Sequence, residues 1–121
     1  MNNEIVLKNL RDRFGDKLVA VALFGSAARG EARENSDLDF LVVLRGIPWS
    51  LSRRYSAYKP IYEAVKPKDV NVIDVDEEII TDEKTELLPV MLNVIKDAKI
   101  LYDPENKLSS FLKRHRTKDK T

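Results

Sequence analysis

Two short stretches hold the residue types able to do chemistry. Leu23-Phe24-Gly25-Ser26-Ala27-Ala28-Arg29-Gly30 places a glycine and a serine at the end of an apolar run. Ten residues separate Ser26 from Asp37-Leu38-Asp39-Phe40. Side chains alternate along a strand, so Asp37 and Asp39 point one way while Leu38 and Phe40 point into a core. Two carboxylates about 6–7 Å apart on one strand face repel each other unless a cation lies between them. Oxygen-only ligation suits Mg²⁺ or Mn²⁺, completed by water and by substrate phosphate. On the other stretch, Gly25 closes a strand and Ser26 opens a helical turn. The backbone N–H groups there and the Ser26 hydroxyl can hold phosphate oxygens, and a residue without Cβ lets them come close. Alone, a Gly-Ser pair is usually a turn and an Asp-x-Asp pair a solvated face. Together, each beside a buried-type strand, they mark a metal- and phosphate-binding constellation.

Composition narrows the alternatives. The chain has no cysteine and a single histidine, His115, which sits in a basic tail. Thiolate zinc sites, thiol nucleophiles and histidine-based triads are therefore excluded. The formal net charge is only +1, so no strong overall field draws the chain to nucleic acid, and a nucleic-acid partner is not expected. No apolar run approaches the roughly 18–20 residues that span a bilayer, and Met1-Asn2-Asn3-Glu4 lacks the layout of a signal peptide. A cytoplasmic protein without a membrane partner is the expectation.

The elements that must position these residues are legible as periodic runs. At 121 residues the chain has room for one domain. Leu7, Leu10 and Phe14 give helical spacing over Glu4 to Phe14, stopped by Gly15. Leu18 to Phe24 and Leu38 to Leu44 read as buried strands, antiparallel neighbours because the link is short. Ser50 to Val65 reads as a helix with Leu51, Tyr55, Tyr58, Tyr62 and Val65 near one face, kinked or interrupted by Pro60. Val70 to Val75 is a third strand. Thr85 to Ala98 is a helix carrying Leu88, Met91, Leu92 and Ile95, and Ile100 to Tyr102 is a short fourth strand. Asp103-Pro104 looks like an N-cap followed by a first-turn proline, opening a last helix with Leu108, Phe111 and Leu112. Lys113 to Thr121 is expected to fray. The fold class is α/β (α+β): a mixed, mainly antiparallel sheet of three to four strands flanked by helices. Residues 1–103 form the domain proper, and 104–121 a C-terminal helix and basic tail.

Gly25-Ser26, ten residues, then Asp37-x-Asp39 resembles the signature of the DNA polymerase β nucleotidyltransferase superfamily. The flanking Leu23-Phe24, Ala28-Arg29-Gly30 and Ser36 are similar to its minimal stand-alone branch, which includes the antitoxin halves of HEPN/minimal-nucleotidyltransferase pairs. The similarity runs from about Val19 to Asp103 and takes in Ile100-Leu101-Tyr102-Asp103. The resemblance implies two-metal transfer of a nucleotide from a nucleoside triphosphate, usually ATP. By it Asp37 and Asp39 bind Mg²⁺ and are catalytic, and Gly25 and Ser26 contact the triphosphate. It also implies a HEPN-domain protein partner whose tyrosine hydroxyl is the acceptor. By analogy, self-association into a homo-oligomer is open as well.

One position departs from the pattern. Active members carry a third carboxylate on the next strand, where this chain reads Asp69-Val70-Asn71-Val72-Ile73-Asp74. Asn71 stands in the third-acid position, and an amide is neither a base nor a negative charge. Alternation puts Asp74 on the opposite side. Two outcomes stay open: an enzyme working with two acids, or a catalytically weak nucleotide- or toxin-binding module. Modification of a small molecule is a third reading, disfavoured because a second domain to hold that acceptor has no room. Arg29 is a candidate nucleotide contact, against the plainer reading of an exposed helix-end arginine. Trp49, Tyr55, Tyr58 and Tyr62 could stack on a base but fit core and rim better. Lys113-Arg114-His115-Arg116 with Lys118 and Lys120 could meet an acidic partner, or simply be a solvated tail. Any surplus of Leu87, Leu88, Met91 and Leu92 over the core would make a protein-binding face.

Overall fold

A computed structural model describes residues 3–31 and 36–118. The helix α1 (Asn3–Phe14) leads through a single 3₁₀ turn over Gly15–Lys17 into β1 (Leu18–Phe24). A four-residue helix α2 (Gly25–Ala28) follows directly, and β2 (Leu38–Leu44) comes next. Then come α3 (Leu51–Val65), β3 (Val70–Asp76), α4 (Glu78–Thr81), α5 (Pro89–Asp97), β4 (Lys99–Tyr102) and α6 (Lys107–Lys118). The four strands form one sheet in the order β3-β2-β1-β4, with β1 antiparallel to β2 and β4, and β3 parallel to β2. The expected mixed, mainly antiparallel sheet flanked by helices is the observed one.

Each face of the sheet carries a core. On one face Val6 and Leu10 of α1 and Ala57 and Ile61 of α3 pack on Val21, Leu23, Phe40, Val42 and Leu44. On the other, Ile80, Met91, Val94, Ile95, Leu108, Phe111 and Leu112 pack on Ala20, Ala22, Phe24, Leu41, Val43 and Val75. A strand covered on both sides needs no polar alternation, which is why β1 is apolar and buried at all seven positions. Each fully buried valine or leucine contributes about 1.5–3 kcal/mol, so these central strands hold the frame that the site depends on.

Several sequence expectations are corrected. Pro60 lies inside α3 without interrupting it, and its carbonyl accepts a hydrogen bond from Asn9 Nδ2 at 3.0 Å, joining α3 to α1. The buried stripe of α3 is Arg53, Ala57 and Ile61, while Leu51 and Tyr55 are exposed and Tyr58 and Tyr62 stack half-buried at 5.6 Å. α5 begins at Pro89 rather than Thr85, because the residue before a proline is driven to extended backbone, as Leu88 is (φ −69, ψ 144). Leu88 and Leu92 are consequently exposed, and Val94 takes a core place. Asp103 does cap the last helix, accepting the N–H groups of Leu108 (3.1 Å) and Ser109 (2.8 Å). The helix starts at Lys107 after a turn, so Pro104 is not its first residue.

The basic end of the chain is helical through Lys118 instead of frayed from Lys113. Arg116 donates to the carbonyls of Ile95 (2.7 Å) and Ala98 (3.0 Å), and Arg114 to that of Ile80 (3.3 Å). These guanidinium groups satisfy the orphan carbonyls of other helix ends, a use of cations that favours the negative end of the helix dipole. Lys120 lies outside the described residues. No helix among the described residues is long and apolar enough to cross a membrane.

Candidate functional site

Strand directions bring the two chemical stretches together. β1 ends where β2 and β3 begin, since β1 is antiparallel to β2 and β2 is parallel to β3. Phe24 pairs with Asp39, and Asp39 pairs with Asn71, so three neighbouring strands present these positions side by side at one sheet end. Leu38 and Phe40 are buried under the sheet, which turns Asp37 and Asp39 to the opposite face as the alternation requires. Asp37 and Asn71 are exposed and Asp39 is half-buried.

The side chains converge. Asn71 Nδ2 donates to Asp39 Oδ1 at 3.0 Å and to Asp37 Oδ2 at 3.3 Å. On the other flank, Gly25 (φ +71) lies so near Asp39 that a Cβ there would stand 2.3 Å from Asp39 Oδ2. No residue with a side chain fits that place, and the positive φ independently favours glycine. The space beside Asp39 Oδ2 is thus bordered by bare backbone of the α2 turn. Carboxylate oxygens of Asp37 and Asp39 next to such a cradle suit a small hard cation such as Mg²⁺ or Mn²⁺. Among the described residues no group of three or more acids or imidazoles is assembled, so a cation here relies on two carboxylates.

Ser26 is half-buried in the first turn of α2, whose chain is closed by Arg29 N–H to Gly25 carbonyl (3.3 Å) and Glu31 N–H to Ser26 carbonyl (2.9 Å). Arg29 stands at the end of that helix with Nε on Glu31 (2.9 Å) and one guanidinium nitrogen on Asp97 (2.6 Å). The hydrogen bonds to Glu31 and then Asp97 raise its pKa above the ordinary arginine value, so the charge is permanent. Arg29 therefore ties the α2 turn to the last residue of α5, a link that the sequence reading did not anticipate. Asp97 is distant in sequence and had no local signal.

Asp74 sits on the opposite face of β3, as alternation requires, and it pairs with Arg53 Nε at 2.7 Å under α3. Arg53 also donates to the Ile47 carbonyl at 2.7 Å and to Asp76. Burial lowers the Arg53 pKa, but the hydrogen bonds to Asp76 and Asp74 outweigh it and leave it raised. This pair is removed from the Asp37–Asp39–Asn71 cluster.

A cleft of about 460 Å³ lies between α1 and α3, lined by residues such as Asn9, Arg13, Tyr55 and Lys59. Another, of about 510 Å³, runs along β3 and is lined by Trp49, Arg54, Asp74, Ile79, Leu88 and Val90 among others. Neither includes Asp37, Asp39 or Asn71. Trp49 and Tyr55 border these separate clefts and do not form one stacking surface over the aspartates.

Comparison with known proteins places this arrangement. The sequence model of the nucleotidyltransferase domain family matches residues 4–102. A Methanocaldococcus jannaschii protein assigned as a protein adenylyltransferase is 30 % identical over 109 residues, covering 89 % of this chain and 74 % of that protein. A chain in the crystal structure of a toxin–antitoxin complex with AMP-PNP is 24 % identical with a TM-score of 0.69, covering 99 % of this chain and 88 % of that one. A chain in the structure of a tri-AMPylated Shewanella oneidensis HEPN toxin with its MNT antitoxin is 20 % identical with a TM-score of 0.63, covering 98 % and 83 %. At these identities the two structural likenesses speak for the fold.

Proposed function

We propose that this chain, which belongs to the nucleotidyltransferase domain family, transfers AMP from ATP to a hydroxyl acceptor on a partner protein. The observation that carries the reading is the meeting of Asp37, Asp39 and Asn71 at the strand ends, against a glycine whose missing side chain lets Asp39 lie directly on the α2 turn. Asp37 and Asp39 would hold Mg²⁺ (or Mn²⁺). Bound there, the ion supplies positive charge that polarises the α-phosphate and offsets charge on the leaving pyrophosphate. Gly25 and Ser26 hold the triphosphate through backbone N–H groups and the serine hydroxyl, while Arg29 contributes at the rim and fixes the turn against Asp97. Attack by the acceptor oxygen on the α-phosphorus forms the new P–O bond as the bond to pyrophosphate breaks. Asn71 cannot take the acceptor's proton, which passes to a substrate phosphate oxygen or to water.

Asp37 and Asn71 are exposed, which leaves the site within reach of a side chain presented by a partner protein. A tyrosine on a HEPN-domain toxin is the acceptor we favour, supported by the AMPylated HEPN toxin in the complex of similar fold. A second reading, a toxin-binding antitoxin with little turnover, draws on the same Asn71, which brings no third acid to the site.

The test is transfer of labelled AMP from ATP, with Mg²⁺, to a co-purified HEPN-domain partner. Incorporation at a tyrosine is expected, and Asp39→Asn should lower it by about a thousandfold. No transfer by the natural chain, together with strong transfer by Asn71→Asp, would sink the enzyme reading and leave the binding module.

A further inference from the structure

The amide of Asn71 turns its donor end to both aspartates, 3.0 Å from Asp39 Oδ1 and 3.3 Å from Asp37 Oδ2. With no cation on that side, turning the amide over would set its carbonyl oxygen against two anions, so charge favours this orientation. One oxygen of each carboxylate is therefore engaged on the β3 side. Asp39 Oδ2 faces the other way, towards the bare backbone at Gly25. The pair is met from two directions: by an N–H donor on the β3 side and, at Asp39 Oδ2, by the bare backbone of Gly25 on the α2 side.

We infer that the site takes a single divalent cation, held by Asp37 and Asp39, and that Asn71 closes the β3 side to a second. The inference rests on the metal–nucleotide reading above and departs from the two-cation arrangement that the wider resemblance implies. Charge supports it, because two carboxylates carry the −2 that one divalent ion neutralises, and no third acid or imidazole joins them among the described residues. Geometry supports it as well. A second ion on the β3 side would meet the positive end of the amide, and to bind it would have to break both hydrogen bonds. Asn71 acts here as a positioning residue: its one amide nitrogen holds an oxygen of each carboxylate in a fixed relation.

The number of bound ions tests this directly. The full chain is dialysed to equilibrium with Mn²⁺ and an ATP analogue carrying an α,β-methylene bridge, which cannot be cleaved. Bound manganese and bound nucleotide are counted per chain, and the bound Mn²⁺ is examined by electron paramagnetic resonance. One nucleotide and one manganese per chain are expected, with the spectrum of an isolated ion. Asn71→Asp, checked for an intact fold by its circular-dichroism melt, is expected to raise the count from one to two and to give an exchange-coupled spectrum. Two ions per natural chain would overturn the inference while leaving the nucleotide reading in place. A count that stays at one in folded Asn71→Asp would overturn the role given to the amide. Failure to bind nucleotide at all would overturn the underlying reading too. Should the variant not fold, the count on the natural chain alone decides the number of ions.

Discussion

Asn71 and Asp74 stand three positions apart on β3, on opposite faces of one strand, and their surroundings differ in every respect that matters to a polar group. Asp74 is sealed under α3, its side chain 0 % exposed, against an Arg53 side chain that is 2 % exposed. A carboxylate taken out of water must be matched by a cation, and Arg53 matches it, with Arg54 Nε a further 3.6 Å from the second oxygen. Asp37 is exposed and Asp39 half-buried at the strand ends, where the neutral amide of Asn71 donates to both. Among the described residues, the buried acid has a cationic partner and the pair at the strand ends meets an amide instead.

The comparison breaks most readily at Arg53. Arg53→Ala leaves Asp74 buried and unpaired and should cost about 3–5 kcal/mol in urea unfolding. Arg53→Met combined with Asp74→Leu should recover most of that loss, since it removes both charges together. A single substitution costing under about 1 kcal/mol would mean that the pair behaves as a surface one. At the other site the sign of the effect reverses. Asp39→Asn should leave the urea midpoint unchanged and lower AMP transfer by about a thousandfold, the equivalent of roughly 4 kcal/mol of charge stabilisation.

Two glycines sharpen the contrast further. Gly25 and Gly46 both have positive φ (+71 and +69), but only at Gly25 would a Cβ collide with anything, namely Asp39. Alanine at either should cost about 1–2 kcal/mol for the left-handed backbone. Only Gly25→Ala should also weaken nucleotide binding, measured by fluorescence titration. The smallest effect concerns charge pairs at the surface. Arg45, with Lys107 assisting, holds the Glu105 carboxyl below its usual range. A lowered folded pKa means stability that is present above the ordinary carboxylate pKa and lost as pH falls through the folded value. The Tm difference between the natural chain and Glu105→Gln should therefore be visible at neutral pH, shrink in high salt and disappear as pH falls through the lowered folded value.

What could be read from sequence followed the strength of the physical signal. β1 and β2 were legible because strands covered on both faces must be apolar throughout, and Gly25 marks the end of the first. Alternation placed Asp37 and Asp39 on one face of β2 and set Asp74 opposite Asn71 on β3, while the resemblance, not periodicity, put Asn71 beside the aspartates. Helix limits were less legible where a proline competes with periodicity: Leu88 fits a helical stripe but Pro89 forbids it that backbone. α4 (Glu78–Thr81) was missed because a four-residue turn with one buried residue, Ile80, is too short to show a period. The contacts that join distant segments, such as Arg29 with Asp97, Arg116 with Ile95 and Ala98, and Arg53 with Asp74, had no local pattern to betray them. For Arg53 the helix position was plain, yet a charged residue on a buried stripe runs against amphipathic reading until its partner is known.

The parallel pairing of β2 with β3 has a consequence in time as well as in space. Asp39 and Asn71 become neighbours only through a crossover that includes all of α3, whereas β1 and β2 can pair across a short link. Contacts between distant segments carry the larger loop-closure cost and tend to form late. The pairing of β1 with β2, which sets the aspartates against Gly25, thus closes the shorter loop, and the pairing that brings the Asn71 amide to them closes the longer one.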